Sequence, residues 1–282
     1  VTADSRASLD EIRDFHAKMM AAASNSSDER LEQAFRLVRR EAFMGPGPWQ
    51  IGAGARYLET PNADPAFLYQ NVLVALDKSK GINNGEPFLH AAFMGAVAPQ
   101  PGETVIQIGA GTGYYTAILS MLVEPGGEVH AIEIDEALAS RTRDNLAPFE
   151  NVSIICADAT ELELPEADLI YVSAGVVAPP ISWLQALRPG GRIIVPWQAN
   201  EKVGLAVLIT RAEQGFSARA LMPAYFIPCI GASDPTQSMK IPHDGEARSI
   251  QSVWLTQDRA PDETAVAIYR DLWFSNAGLG CD

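Results

Sequence analysis

"VIQIGAGTGYY", residues 105–115, decides the fold of this 282-residue chain. Val105, Ile106 and Ile108 form a run suited to a strand covered on both faces. Gly109, Gly111 and Gly113 follow at alternate positions, and "YYTAILSMLV" then reads as a helix. A loop without Cβ atoms lets a nucleotide-like ligand approach its backbone, and strand, glycine loop and helix in this order give the motif weight. The spacing is G-x-G-x-G. A dinucleotide fingerprint needs its last glycine at 114, where Tyr114 stands, which counts against a nucleotide-dependent dehydrogenase.

Outward from the loop the pattern is regular. "EVHAIEID" reads as a strand, "EALASRTRDNLAPF" as a helix, and "NVSIICAD" and "ADLIYVSAG" as two more strands. "PISWLQALRPGG" reads as a helix ending in a glycine turn before the strand "RIIVP". Strands alternating with helices predict an α/β fold with a doubly wound, mostly parallel sheet. Upstream, "SLDEIRDFHAKMM" has helical spacing with Ser8 and Glu11 as a capping box, and "SSDERLEQAFRLVRREAF" gives a second helix. Residues 45–65 are expected to be irregular, and "AFLYQNVLVALD" is compatible with strand or helix. Downstream, "VGLAVLITR", "ARALMPAYFIP" and "SIQSVWL" read as strands, 232–248 as loop and "DETAVAIYRDLWF" as a helix. Three regions result: 1–80, helical and irregular on the substrate side; 81–215, the ligand-binding core; and 216–282, an extension completing the domain.

Glu133 and Asp135 compete for one role. A carboxylate ending the second strand can accept hydrogen bonds from both hydroxyls of a ribose. Asp135 reads equally as the cap of the following helix. "CADAT" and "VSAG" end the next two strands, and ligands of open α/β sheets bind beyond such ends.

The G-x-G-x-G loop resembles motif I of the Rossmann-like S-adenosylmethionine-dependent methyltransferases. "RLVRREAFMGPGPW", the segment Gly81–His90, "VIQIGAGTGYYTAILS", "ADLIYVSAG" and "LRPGGRIIVP" together resemble the protein-L-isoaspartate O-methyltransferase family over roughly residues 30 to 200. The resemblance implies O-methylation of isoaspartyl carboxylates with S-adenosyl-L-methionine, which leaves S-adenosyl-L-homocysteine. It implies cofactor contacts at Gly109, Ala110, Gly111, Gly113, Tyr114, Glu133, Ile134, Asp158, Ala159 and Ser173. Glu133 takes the ribose and Asp158 the adenine amino group.

"GINNGEPFLHAAF", residues 81–93, departs from the family. The family segment reads roughly T-I-S-x-P-x-M. Aligning its proline on Pro87 puts Gly85 where the family has a serine near the acceptor. Asn84, Glu86 and His90 are the candidate acceptor-side residues: an amide donor, a carboxylate and an imidazole. The same residues also read as a turn, a first helical turn and a packed helix position. Tyr114 and Tyr115 are expected to divide between core and pocket, and Tyr69 and Gln70 are weaker candidates. A different peptide or small-molecule acceptor, or a cofactor-binding protein without turnover, are the competing readings.

Bulk properties agree. A net charge of −14 repels phosphate backbones, so nucleic acid is not an expected partner. Cys156, Cys229 and Cys281 show no disulfide or zinc spacing, which suits a reducing cytoplasm, and four scattered histidines suggest no metal. No leader pattern and no apolar run of about 18 residues predicts a membrane segment. The oligomeric state is left open.

Overall fold

The structure, a computed structural model, describes residues 7–54 and 56–280. Helices α1 (Leu9–Ser24) and α2 (Glu29–Leu37) open the chain. The expected capping box is present, with Ser8 Oγ accepting from Glu11 N and Glu11 accepting from Ser8 N. Two small hairpins follow, β1 (Gln50–Ala53) with β2 (Arg56–Glu59), and β3 (Ala75–Asp77) with β4 (Ile82–Asn83). The first lies in the stretch expected to be irregular. The apolar stretch between the hairpins splits into a 3-10 turn, Pro65–Leu68, and β3.

Helix α3 (Pro87–Val97) leads into the alternating part: β5 (Thr104–Ile108), α4 (Tyr114–Val123), β6 (Glu128–Glu133), α5 (Glu136–Leu146), β7 (Val152–Cys156), β8 (Ala167–Val172), α6 (Ile181–Gln185) and β9 (Leu187–Asn200). Strand β10 (Val203–Arg211) follows, and the extension holds β11 (Phe216–Pro223), β12 (Ser238–Lys240), α7 (Asp244–Ala247), β13 (Ser252–Leu255), β14 (Ala265–Tyr269) and β15 (Leu272–Ser275).

One 11-stranded sheet runs β12-β14-β15-β13-β11-β10-β9-β8-β5-β6-β7. The stretch from β9 to β7 is parallel, and every pairing from β9 outward to β12 is antiparallel. The Rossmann-like core is therefore the expected one, and the extension continues its sheet. The chain lays down β5, β6 and β7 in one direction, then returns to β5's other side for β8 and β9. Strand order thus reverses between β5 and β8, and a crevice opens beyond their carboxyl ends.

Strand alternation sorts the core onto two faces. Ile106 and Ile108 pack with Ile170, Trp183 and Trp197 on one face. Val105 packs with Leu169, Tyr171 and residues of α1 to α4 on the other. Arg192 ties α3 to this sheet, donating from Nε to Val97 O at 2.5 Å and pairing with Glu103 at 2.8 Å.

Three expectations need correction. "DETAVAIYRDLWF" is no helix but the hairpin β14–β15, joined by Arg270 and Asp271. Short apolar runs do not separate helix from strand by period, and here the β-branched and aromatic content decided. The helix in "PISWLQALRPGG" stops at Gln185, and β9 already runs through the glycines. Residues 232–248 carry β12 and α7 rather than loop alone.

Candidate active site

The glycine loop leaves β5 at the reversal point. Gly109, Gly111 and Gly113 have φ of +80°, +61° and +92°, where a side chain is strained. Gly109 N and Ala110 N both donate to Ile132 O, at 2.9 and 3.2 Å, which ties the loop to β6. Thr142 Oγ1 donates to Gly111 O at 2.7 Å and Asn145 Nδ2 to Thr112 O at 2.9 Å, tying it to α5. A Cβ on Gly113 would stand 2.8 Å from Leu146 Cδ1, so this glycine serves packing and not ligand approach.

Glu133 is 6% exposed. Its Oε2 accepts from Gly111 N at 2.7 Å and its Oε1 from Asp135 N at 3.0 Å. Burial raises its pKa, while these two N–H groups pull the other way. Asp135 instead caps α5, accepting from Leu138 N at 3.0 Å, and pairs with Lys80. Its pKa is lowered, first by Lys80.

Two compartments lie along the crevice and share Asn83, Gly109, Gly111, Ser173 and Ile227. The first, about 170 Å³, is lined by Glu133, Asp158 and Ala159 among Ile132, Ile134, Leu138 and Ile230. Asp158 Oδ1 accepts from the backbone N and Oγ1 of Thr160, each at 2.8 Å, so Oδ2 remains for a ligand. Ser173 Oγ is buried without a hydrogen-bond partner. Burial pushes the Cys229 thiol in this wall up to about 12, so it is no thiolate nucleophile. A buried carboxylate with spare lone pairs, an apolar slot and an orphaned hydroxyl fit an adenosine with a polar tail.

The second compartment, about 340 Å³, is lined by Asn83, Asn84, Gly85, Glu86, His90 and Tyr115, with Leu73, Leu76 and Leu89 beside them. Its roof is the stretch 223–227, after β11 ends. Gly175 N donates to Ile227 O at 2.8 Å, Cys229 N donates to Gly175 O at 2.7 Å, and Phe226 N donates to Gln198 Oε1 at 2.6 Å. These bonds hold the roof over both compartments. Asn84 N donates to Val74 O at 2.8 Å, and Arg40 Nη2 donates to Asn84 Oδ1 at 3.4 Å. Glu86 is exposed and opens α3, and no lysine or arginine among the described residues shares this lining.

His90 is 2% exposed. Its ring stacks on Tyr115 at 3.6 Å, and its Nδ1 lies 2.9 Å from Tyr171 Oη. Gly85 has φ of +74°, and a Cβ there would stand 2.5 Å from His90 Nε2. Glycine is thus required where the family motif has serine. Burial, reinforced by the charge of Arg40, lowers the His90 pKa to about 3. The same causes lower that of His16, which packs edge-on against Tyr69, to about 4. Unfolded histidine takes its proton near pH 6.5, so the unfolded chain binds more protons than the fold between that pH and 4. The contribution of both groups is full above about pH 6.5 and is lost as pH falls. Unfolding free energies from urea titrations at pH 7 to 4 are expected to fall steadily, by several kcal/mol in all. A flat profile overturns the neutral assignment.

Asn84, Glu86 and His90 therefore meet in one compartment. Gly109, Gly111, Glu133, Ile134, Asp158, Ala159 and Ser173 line the other, and Ala110 lines the first-named trio's side. Two expected cofactor residues do not join them. Tyr114 is fully buried, edge-on to Phe43 at 5.7 Å, and Gly113 lies under α5; neither lines a compartment. Of the tyrosine pair it is Tyr115 that faces the cavity. Tyr69 is buried and hydrogen-bonds Glu41, and neither it nor Gln70 lines the site. Sequence reasoning missed Leu73, Leu76, Phe226 and Cys229, whose spacing carries no motif.

A family model described as Protein-L-isoaspartate(D-aspartate) O-methyltransferase matches residues 56–234. Among curated relatives, Protein-L-isoaspartate O-methyltransferase 1 of Cupriavidus necator is 28% identical over 227 residues, covering 79% of this chain and 81% of that protein. Protein-L-isoaspartate O-methyltransferase of Ignicoccus hospitalis is 32% identical over 150 residues, covering 51% and 70%. A solved protein-L-isoaspartate O-methyltransferase superposes with a TM-score of 0.69 at 19% identity, covering 93% of this chain and 86% of that one. A putative one from Plasmodium falciparum, solved with S-adenosyl-L-homocysteine, gives 0.62 at 17% identity, covering 77% and 97%. At such identities the two structures speak to the fold.

Proposed function

This chain belongs to the protein-L-isoaspartate(D-aspartate) O-methyltransferase family, and on that premise we propose that it methylates the free carboxylate of isoaspartyl residues in peptides or proteins. The observation that carries the reading is the pair of compartments joined at Gly109, Ser173 and Ile227. S-adenosylmethionine, when bound, supplies an electrophilic methyl group on a sulfonium.

The chain's own residues bind and orient. Glu133 would hold the ribose hydroxyls and Asp158 the adenine amino group, and the loop backbone at Gly109 to Gly111 would border the amino-acid tail. Ser173 stands where the two compartments meet. The acceptor carboxylate is ionised at neutral pH and needs no general base. The rate then comes from orientation within an enclosed site and from exclusion of water by Leu73, Leu76, Leu89 and Phe226. His90, held neutral, is a poor base and suits this chemistry. The expected products are a methyl ester and S-adenosylhomocysteine.

Glu86 favours a second reading, in which the acceptor is not anionic, because an exposed carboxylate in the wall repels one. The experiment is transfer from labelled S-adenosylmethionine to an isoaspartyl peptide and to its aspartyl twin, with cofactor binding measured on the same sample. Base-labile label in the isoaspartyl peptide alone is the expected result. Cofactor binding with no label in either peptide favours the second reading. Among the described residues, no helix is long and apolar enough to cross a membrane.

A further inference from the structure

Arg40 is fully buried, and no carboxylate among the described residues pairs with it. Its Nη1 donates to Leu68 O at 2.6 Å and Gln70 O at 3.2 Å, and its Nη2 to Val72 O at 2.9 Å. Its Nε has no partner. Its charge is met by these carbonyl oxygens and by the Tyr114 ring, 5.8 Å from its Cζ, and it stands directly behind Asn84.

The remaining Nη2 contact is Asn84 Oδ1, at 3.4 Å. A guanidinium has only donors, so the amide must turn its oxygen toward Arg40 and its Nδ2 away. Asn84 lines the acceptor compartment, and its Nδ2 has no hydrogen-bond partner among the described residues. His90 lines the same compartment, and its Nε2 is equally free. Tyr171 Oη lies 2.9 Å from His90 Nδ1 and 3.4 Å from His90 O. When the hydroxyl donates along the shorter contact, Nδ1 is the acceptor and the single proton of the neutral ring sits on Nε2. Two buried side chains, each with an unpartnered donor, thus line one cavity, with a fixed cation behind one of them.

We propose that Asn84 Nδ2 and His90 Nε2–H hold the acceptor carboxylate, with Arg40 as the positioning cation behind Asn84 and Tyr171 as the residue that orients the His90 proton. The proposal rests on the reading of the acceptor as an isoaspartyl carboxylate. It explains why the hydroxyl at position 85 is dispensable: the imidazole occupies the space beside Gly85 that a side chain there would need.

The informative variant is Asn84→Asp. It is isosteric and gives Arg40 a counter-ion, so the fold is retained, but it sets a negative charge against the acceptor. His90→Phe keeps the stacked ring and removes the donor, and His90→Gln restores an N–H. Three quantities are read: KM for an isoaspartyl peptide, Ki for its neutral isoasparaginyl twin, and Kd for S-adenosylhomocysteine. Asn84→Asp is expected to raise KM at least tenfold and His90→Phe about tenfold, with His90→Gln recovering much of the loss. Ki of the neutral twin is expected to rise several-fold less than KM, because an amide oxygen accepts from the same donors more weakly, and Kd of S-adenosylhomocysteine to stay within about twofold. An unchanged KM in both variants overturns the assignment and leaves the isoaspartyl function standing. Equal shifts of KM and Ki also overturn it, since they report a general loss of fit. If the native enzyme does not methylate the isoaspartyl peptide, the substrate reading falls and the assignment with it.

Discussion

Replacing Glu133 with alanine is expected to weaken S-adenosylmethionine binding by about 100-fold or more, measured by calorimetry. Two hydrogen bonds from ribose hydroxyls to a carboxylate contribute about 1.5–3 kcal/mol each, and about 2.7 kcal/mol already corresponds to a factor of 100. The substitution also frees Gly111 N, which Glu133 Oε2 engages at 2.7 Å, so the glycine loop loses a tether at the ligand's position. Asp135→Ala is the matching control. Asp135 caps α5 and pairs with Lys80, and it lines neither compartment. Its loss is expected to cost about 1 kcal/mol of stability and to leave cofactor affinity within a few-fold. If the two variants exchange these behaviours, the ribose assignment belongs to Asp135.

Gly85→Ser introduces the residue that the family motif carries, and it is expected to harm this protein. The φ of +74° at this position strains any side chain by roughly 1–2 kcal/mol. The new Cβ would also stand 2.5 Å from His90 Nε2, inside contact distance. The imidazole has little freedom to yield, because it is stacked on Tyr115 at 3.6 Å and bonded to Tyr171 at 2.9 Å. Together these effects are expected to lower stability by about 3 kcal/mol and kcat/KM more than tenfold. In the double variant Gly85→Ser/His90→Ala the clash is gone, and part of the stability is expected to return. Such coupling is what residues in contact show in a double-mutant cycle. A Gly85→Ser protein that is more active than the parent, with an unchanged urea midpoint, would mean that the two positions do not compete.

The part of the site built from consecutive residues was legible in the sequence. Gly109 to Gly111, Glu133, Asp158 and Ser173 sit at strand ends, and strand ends can be read from apolar runs and the turns that follow. Asn84, Glu86 and His90 were legible as a group through their place before the glycine loop. What was not legible depends on distant contacts. That Gly113 packs under Leu146 and Tyr114 against Phe43 follows from where α5 and the 3-10 turn Arg40–Phe43 come to rest. The conflict between position 85 and His90 exists only because the chain takes a positive φ there. The hairpin β14–β15 was misread because Val266, Ile268, Trp273 and Phe274 suit either period. The roof at 223–230 has no motif, since its role is fixed by backbone bonds to Gly175 and a bond to Gln198.

That roof has a consequence for the order of events. Ile227 stands in the wall of both compartments. A nucleoside in one compartment and a peptide in the other would both border Ile227. Binding free energies are reciprocal: the factor by which an occupied nucleoside pocket changes the affinity for the peptide is the factor by which the peptide changes the affinity for the nucleoside. The wall common to the two compartments thus includes a residue from the C-terminal extension, Ile227, beside Asn83, the glycine loop and Ser173.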